Sequence, residues 1–216
     1  RACAQGWISP RAMRNGIIVT VLFACLIGSA LLFYAGWELI IVGLLCVLFA
    51  FLYTTGPYPL SYNGWGDVLV IVFFGFVPVG GTYYVQALTW TSDTTVASLI
   101  CGLLIDTLLV VNNYRDREAD ARSGKRTVIV RFGEKFGRYL YLMLGVAASL
   151  LCFWFFFEGH LFAALLPLLY LIPHVLTWRR MVQIHSGKKL NSNRSSGRLP
   201  QTGRRRTGKE VPRKDS

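Results

Sequence analysis

A chain of 216 residues that is 53% hydrophobic, 14% aromatic and only 16% charged lacks the polar surface of a water-soluble domain and has the composition of a membrane protein. Its net charge of +12 is unevenly spread, because positions 188–216 hold ten of the 23 basic residues and two of the 11 acidic ones. The five cysteines, Cys3, Cys25, Cys46, Cys101 and Cys152, form no CxxC pair, which argues against a disulfide framework or a zinc site and leaves them as small apolar packing residues.

A hydrocarbon core of roughly 30 Å calls for about 20 apolar residues per helix. Six runs come near that length, at 16–35, 39–53, 68–88, 95–111, 139–157 and 161–178, which predicts an all-α, polytopic membrane helical bundle. The chain opens RACAQGWISPRAMRNG, without an initiator Met and without the pattern of a cleavable signal, so a start further upstream is expected. The membrane domain is expected over 1–187. The segment 188–216, rich in Arg, Lys, Ser and Gly and without apolar periodicity, is expected to be a disordered basic tail or sequence out of frame. Binding to anionic headgroups or nucleic acid is the less favoured reading of that tail.

Basic residues near span ends resist translocation. Arg1, Arg11 and Arg14 precede the first run, eight Lys and Arg residues lie between the fourth and fifth, and Arg179, Arg180, Lys188 and Lys189 follow the sixth, so all three segments are expected on the cytoplasmic side. The connections after the first, third and fifth runs contain no Lys or Arg. Parity then puts the segment TTGPYPLSYNGWGD on the same face as the charged loop.

In the string NNYRDREAD, Asn112, Asp116 and Asp120 recur at i, i+4 and i+8. On a helix each step of four advances about 40°, so the three share one stripe about 12 Å long. Hard oxygen donors in that arrangement suit Mg²⁺ bridging to phosphate oxygens. Gly124, Lys125, Arg126 and Thr127 follow with a turn, two cations and a hydroxyl. An ordinary charged helix face explains the spacing equally well, and both readings stand at this point.

A second NxxxD, Asn63 to Asp67, has Gly64 and Gly66 inside it and Ile71 at its third position, so it is not a second metal stripe. Its neighbours Tyr53, Pro57, Tyr58, Pro59, Tyr62 and Trp65 suggest a shaped loop over a pocket or a set of interfacial anchors. Asp106 inside the fourth run is either a functional group or a hydrogen-bonded core residue, and is left outside the site. His160, His174 and His185 show no ligand spacing.

Two strings resemble a known family: YTTGPYPLSYNGWGDVLVIVFFGFVPVGGTYYVQ at 53–86 and NNYRDREADARSGKRTVIVRFG at 112–133. Together, over about 6–187, they are similar to the UbiA superfamily of intramembrane prenyltransferases, in its 1,4-dihydroxy-2-naphthoate polyprenyltransferase branch. The resemblance implies nine transmembrane helices, of which six are expected here, around a cavity with two Asp-rich Mg²⁺-diphosphate motifs. Asn112, Asp116 and Asp120 match the second motif; the first, and a last helix, are expected outside this chain.

The resemblance further implies diphosphate contacts from Asn113, Lys125 and Arg126, and a substrate pocket or cation shelter drawn from Tyr53, Tyr58, Tyr62, Asn63, Asp67, Tyr83 and Tyr84. The implied reaction moves a polyprenyl group from polyprenyl diphosphate to 1,4-dihydroxy-2-naphthoate with loss of CO₂, giving demethylmenaquinone. Membrane lipids are the implied surroundings, an inner (plasma) membrane the implied location, and no nucleic-acid partner is implied. Prenylation of another aromatic acceptor, an inactive lipid-binding fragment, and a transporter lined by Asp106 are the alternatives.

Overall fold

The computed structural model describes residues 6–195, with side chains described as far as 183. The described chain is helical, and five helices are long and apolar enough to cross a membrane: Pro10–Ala35, Gly66–Ala87, Ser92–Arg122, Val128–Phe157 and Leu161–Gln183. A shorter apolar helix, Glu38–Thr54, makes a sixth. The chain is thus a multi-pass membrane protein, an all-α bundle whose large apolar side chains face outward, Leu22, Phe33, Leu108 and Phe162 among them. Outward Leu and Phe would be a liability in water and are the expected surface in lipid.

The chain divides into two units, Arg1–Trp178 and Arg179–Ser216. In the first, α1 (Pro10–Ala30) starts at Ser9, whose Oγ accepts from the Ala12 N–H at 3.2 Å. It is followed by the single turn α2 (Leu32–Ala35) and by α3 (Glu38–Thr54). At 17 residues α3 is about 25 Å long, near the lower limit for a span.

The third span is one helix in three parts: α4 (Gly66–Val70), a π-helical stretch (Ile71–Gly80) and α5 (Gly81–Ala87). Pro78 lies inside the π stretch. Its missing N–H denies the Phe74 carbonyl an α-helical donor, and Cys101 Sγ approaches that carbonyl at 3.9 Å. Gly75 makes this wide helix fit its neighbour α6 (Ser92–Arg122): a methyl group there would fall 2.5 Å from the Ser98 carbonyl oxygen and 2.8 Å from Gly102 Cα. Small residues at the crossing let the two backbones touch, the usual way helices associate in lipid.

α6 is the centre of the first unit, packed between the third span and α7 (Val128–Leu151). Thr91 caps it, Oγ1 accepting from the Thr94 N–H at 3.2 Å. Thr127 caps α7 in the same way, through the Val130 N–H at 3.3 Å. α7 is interrupted at Gly133 (φ 85°), so a first short turn bearing Arg131 is set off from the long span. After α8 (Trp154–Phe157) and α9 (Leu161–Leu165) comes α10 (Leu171–Ser195), whose first turn carries His174, buried against Tyr141 and hydrogen-bonded through Nε2 to the Tyr141 carbonyl at 3.0 Å.

α10 continues to Ser195, into the segment expected as a basic tail; 196–216 lie outside the described residues, as does Cys3. The cysteines differ among themselves. Cys152 is buried, as a packing residue should be, whereas Cys25, on α1, is exposed.

Candidate metal-diphosphate site

α6 runs unbroken from its apolar middle into the polar string, and its last three turns carry the site. The helix stops in a Schellman arrangement. Gly124 takes a left-handed φ of 77°, its N–H reaching the Ala121 carbonyl at 3.2 Å, while the Lys125 N–H reaches the Asp120 carbonyl at 2.9 Å. The turn brings Lys125 back over the helix end, where Nζ lies 3.4 Å from Asp120 Oδ1. Asp120 is 5% exposed. The glycine anticipated as a flexible turn therefore pairs a cation with a carboxylate.

The expected stripe is present, but it does not face one environment. Asn112 is exposed, Asp116 half-buried and Asp120 buried, so the 80° arc crosses from the outer surface of α6 into its packed face. Asp116 is held by the adjacent Arg115, Nε to Oδ1 at 2.8 Å and Nη2 to Oδ2 at 3.0 Å. Arg117 crosses to α7, its Nε 2.7 Å from Glu134 Oε1 and its Nη1 donating to the Tyr114 carbonyl at 2.7 Å. Asn113 is half-buried beside the stripe, and the Arg126 side chain is exposed.

The aromatic loop lies against this end of α6, as the parity argument anticipates. A 3₁₀ turn, Leu60–Tyr62, presents the Tyr62 carbonyl to the Arg126 N–H at 2.7 Å and the Tyr62 ring to Lys125, whose Nζ is 5.3 Å from the ring centroid. Asn63 spends its side chain inside the loop, Nδ2 donating to the Pro59 carbonyl at 2.9 Å. Tyr58 is exposed. Tyr53, at the end of α3, points its hydroxyl toward Gly66, where a built Cβ would be 3.6 Å from it.

Tyr83 and Tyr84 are not brought to this site. They sit in α5, and the span between them and Asp67 carries them roughly 20 Å away by helical rise, to the end of the bundle where α6 begins. Their nearness to Asp67 in the first string is nearness in sequence only.

Asp67, at the first turn of the third span, and Asp106, in mid-α6, lie close enough to act on one another electrostatically, and both act on Tyr53. Asp106 is 1% exposed, and Oδ1 of each aspartate is shut off from water with no hydrogen-bond partner. Two buried carboxyl oxygens without a hydrogen-bond partner are costly in a packed interior.

Among the described residues no three His, Cys, Asp or Glu side chains converge as a ready-made metal cage. The donor set at the end of α6 does fit a divalent ion that keeps part of its hydration: two carboxylates and an amide oxygen along one helix edge, each carboxylate now neutralised by a cation of the chain, Arg115 or Lys125. The pairing of Asp116 with Arg115, the Arg117–Glu134 bridge and the engagement of Arg131 with the aromatic loop were not legible beforehand. Arg131 stands in the second string with nothing in its spacing to mark it out.

The profile of the UbiA prenyltransferase family matches residues 1–194. Among curated proteins, 1,4-dihydroxy-2-naphthoate octaprenyltransferase of Escherichia coli is 37% identical over 158 residues, 70% of this chain and 51% of that protein. The proteins of the same name from Haemophilus influenzae and Mycobacterium leprae are 38% and 39% identical, over 78% and 66% of this chain and 59% and 48% of theirs. The chain thus spans about half the length of the curated relatives it matches. No solved structure matches it.

Proposed function

Because the chain belongs to the UbiA prenyltransferase family, we propose that it is part of an enzyme transferring a polyprenyl group from polyprenyl diphosphate to 1,4-dihydroxy-2-naphthoate, on the route to demethylmenaquinone. The observation that carries this reading is the convergence at the end of α6 of Asn112, Asp116 and Asp120 with Lys125 and the Tyr62 loop. The names of the relatives supply the acceptor. In this reading the loops of the site face the cytoplasm of an inner (plasma) membrane, and the basic residues around them support the cytoplasmic side.

Asn112, Asp116 and Asp120 would hold Mg²⁺, which when bound supplies Lewis-acid neutralisation of the departing diphosphate. Lys125 and Arg126 would offer their charges to phosphate oxygens, with Asn113 as an amide donor beside them. The donor's apolar chain suits a cavity of about 1240 Å³ lined by Val21, Cys25, Val47, Ala50, Thr54 and Val77, which reaches α3 at the level of the aromatic loop. As the allylic C–O bond breaks, the ring faces of Tyr53 and Tyr62 favour the positive charge left on carbon, and the apolar walls keep water from capturing it. The electron-rich naphthoate ring forms the new C–C bond, and its carboxylate leaves as CO₂.

Incubating the purified full-length protein with labelled polyprenyl diphosphate, 1,4-dihydroxy-2-naphthoate and Mg²⁺ should yield a lipid-soluble labelled quinol. Asp116→Ala should abolish that product while leaving the thermal unfolding curve in place. Wild-type turnover by Asp116→Ala would sink the assignment of the metal edge, and the absence of product from the wild-type protein would sink the activity.

A further inference from the structure

The cations at this end of the bundle are not equivalent. Arg115 is committed to Asp116, Arg117 to Glu134 and Lys125 to Asp120. Arg131 instead reaches across to the aromatic loop: Nη2 donates to the Asn63 carbonyl at 2.8 Å, across 68 residues of sequence. That contact is one of three in a row. The Tyr62 carbonyl accepts the Arg126 N–H at 2.7 Å, and Gly64, at φ +83°, lies so close that a methyl group there would be 3.0 Å from the Arg126 carbonyl oxygen and 3.6 Å from Arg131 Cζ. Three consecutive residues of the aromatic loop are thus stitched to the loop that follows α6.

The local fold aims Arg131 at this task. Thr127 caps the short turn that begins α7, the Arg131 N–H closes on the Thr127 carbonyl at 3.0 Å, and the helix breaks at Gly133 immediately afterwards. The turn therefore presents one long side chain to the neighbouring loop. A guanidinium suits this place, since it donates to the Asn63 carbonyl and packs beside a glycine that has no side chain in its way. Positive φ and close approach together make any side chain at Gly64 a strained fit.

We infer that Arg131 is a positioning residue: it clamps the aromatic loop to the cationic loop and so holds Lys125 between Asp120 and the Tyr62 ring, ready to meet a diphosphate. The inference rests on the prenyl-diphosphate reading above. It assigns Arg131 no contact with the ligand. Release of the clamp lets Tyr62 withdraw from Lys125, whose ammonium then has only the Asp120 carboxylate to fix it.

The test uses the full-length protein in nanodiscs, as wild type, Arg131→Gln, Arg131→Lys and Gly64→Ala, with Mg²⁺-geranyl diphosphate as the probe. Arg131→Gln should weaken probe binding about tenfold, the loss of one charge-assisted hydrogen bond, and leave the KM for the naphthoate acceptor unchanged. Arg131→Lys should recover part of the loss, since an ammonium reaches the same carbonyl at one point. Gly64→Ala, which forces the loops apart without touching any charge, should reproduce the defect of Arg131→Gln.

A readout free of ligand separates this inference from the activity it rests on. Opening the clamp exposes the peptide bonds after Lys125 and Arg126, so trypsin should nick Arg131→Gln and Gly64→Ala there several-fold faster than wild type, with the thermal midpoint of Arg131→Gln little changed and that of Gly64→Ala lowered by its backbone strain. If trypsin discriminates and no variant binds the probe, the clamp stands and the prenyl-diphosphate reading falls. Wild-type nicking rates in both variants overturn the clamp, and so does a binding defect in Arg131→Gln and Arg131→Lys alike with none in Gly64→Ala, which would make Arg131 a direct phosphate ligand.

Discussion

Lys125 is joined to Asp120 twice, by its backbone N–H on the Asp120 carbonyl at 2.9 Å and by its ammonium on Oδ1 at 3.4 Å. The first bond ends the helix and the second charges its tip, so the fold of the turn and the electrostatics of the site share one geometry.

Gly124 makes that geometry possible. Its φ of 77° is one L-residues adopt at a cost of about 1 kcal/mol, and no heavy atom stands where a methyl would be, so Gly124→Ala acts through backbone strain alone. We expect it to lower unfolding free energy by that amount and to weaken Mg²⁺-geranyl diphosphate binding several-fold, as measured by denaturation in detergent and by titration in nanodiscs. Unchanged binding at reduced stability would show that the turn does not set the position of Lys125.

Chelation should separate folding from binding. Because Arg115 and Lys125 already neutralise Asp116 and Asp120, removal of divalent ions leaves no bare carboxylate behind. The helical circular dichroism and the melting temperature should stay the same with and without chelator, while prenyl transfer stops. A fall of many degrees on chelation would point instead to a structural metal.

Asp106→Asn should stabilise the protein. Asp106 and Asp67 each hold a buried oxygen with no donor, and an amide of the same shape brings an N–H to a cluster of acceptors. The gain should be about 1 kcal/mol, read as a higher midpoint in chemical unfolding. Loss of stability would mean that the Asp106 carboxylate has a partner of its own.

Gly75→Ala should do the opposite. Its methyl would meet the Ser98 carbonyl oxygen at 2.5 Å and Gly102 Cα at 2.8 Å, both backbone atoms, so relief requires moving a helix. We expect a loss of about 1–3 kcal/mol or failure to accumulate in the membrane. A melting temperature equal to wild type would show that the third span and α6 are not in contact at this crossing.

The sequence yields the spans readily, because a run of apolar residues long enough to cross a bilayer has few other uses; the runs at 95–111 and 139–157 each fall within a long helix of the structure, and the run at 68–88 overruns its helix by one residue. It also yields the edge of α6, since Asn112, Asp116 and Asp120 keep the helical period through an unbroken helix. Other features need the third dimension. Tyr83 and Tyr84 look near Asp67 in the string and lie at the opposite end of the span. Arg131 grips a carbonyl, a group present at every residue, so Asn63 carries no side-chain signal of the contact. The π stretch gives only Pro78 and Gly75 as hints, and the gradient of burial across the stripe depends on which face of α6 its neighbours cover.

α6 spans 31 residues without a break, about 46 Å, from the capping Thr91 to the Gly124 turn. Such a rod transmits phase as well as length. One extra residue inserted after Val110 would raise the polar tip by only about 1.5 Å but rotate it by about 100°, turning Asp120 away from its buried seat and carrying Asp116 past the aromatic loop. The site thus tolerates changes in side chains along the rod far better than any change in its count of residues, and length variation between relatives should be confined to the connections outside α6.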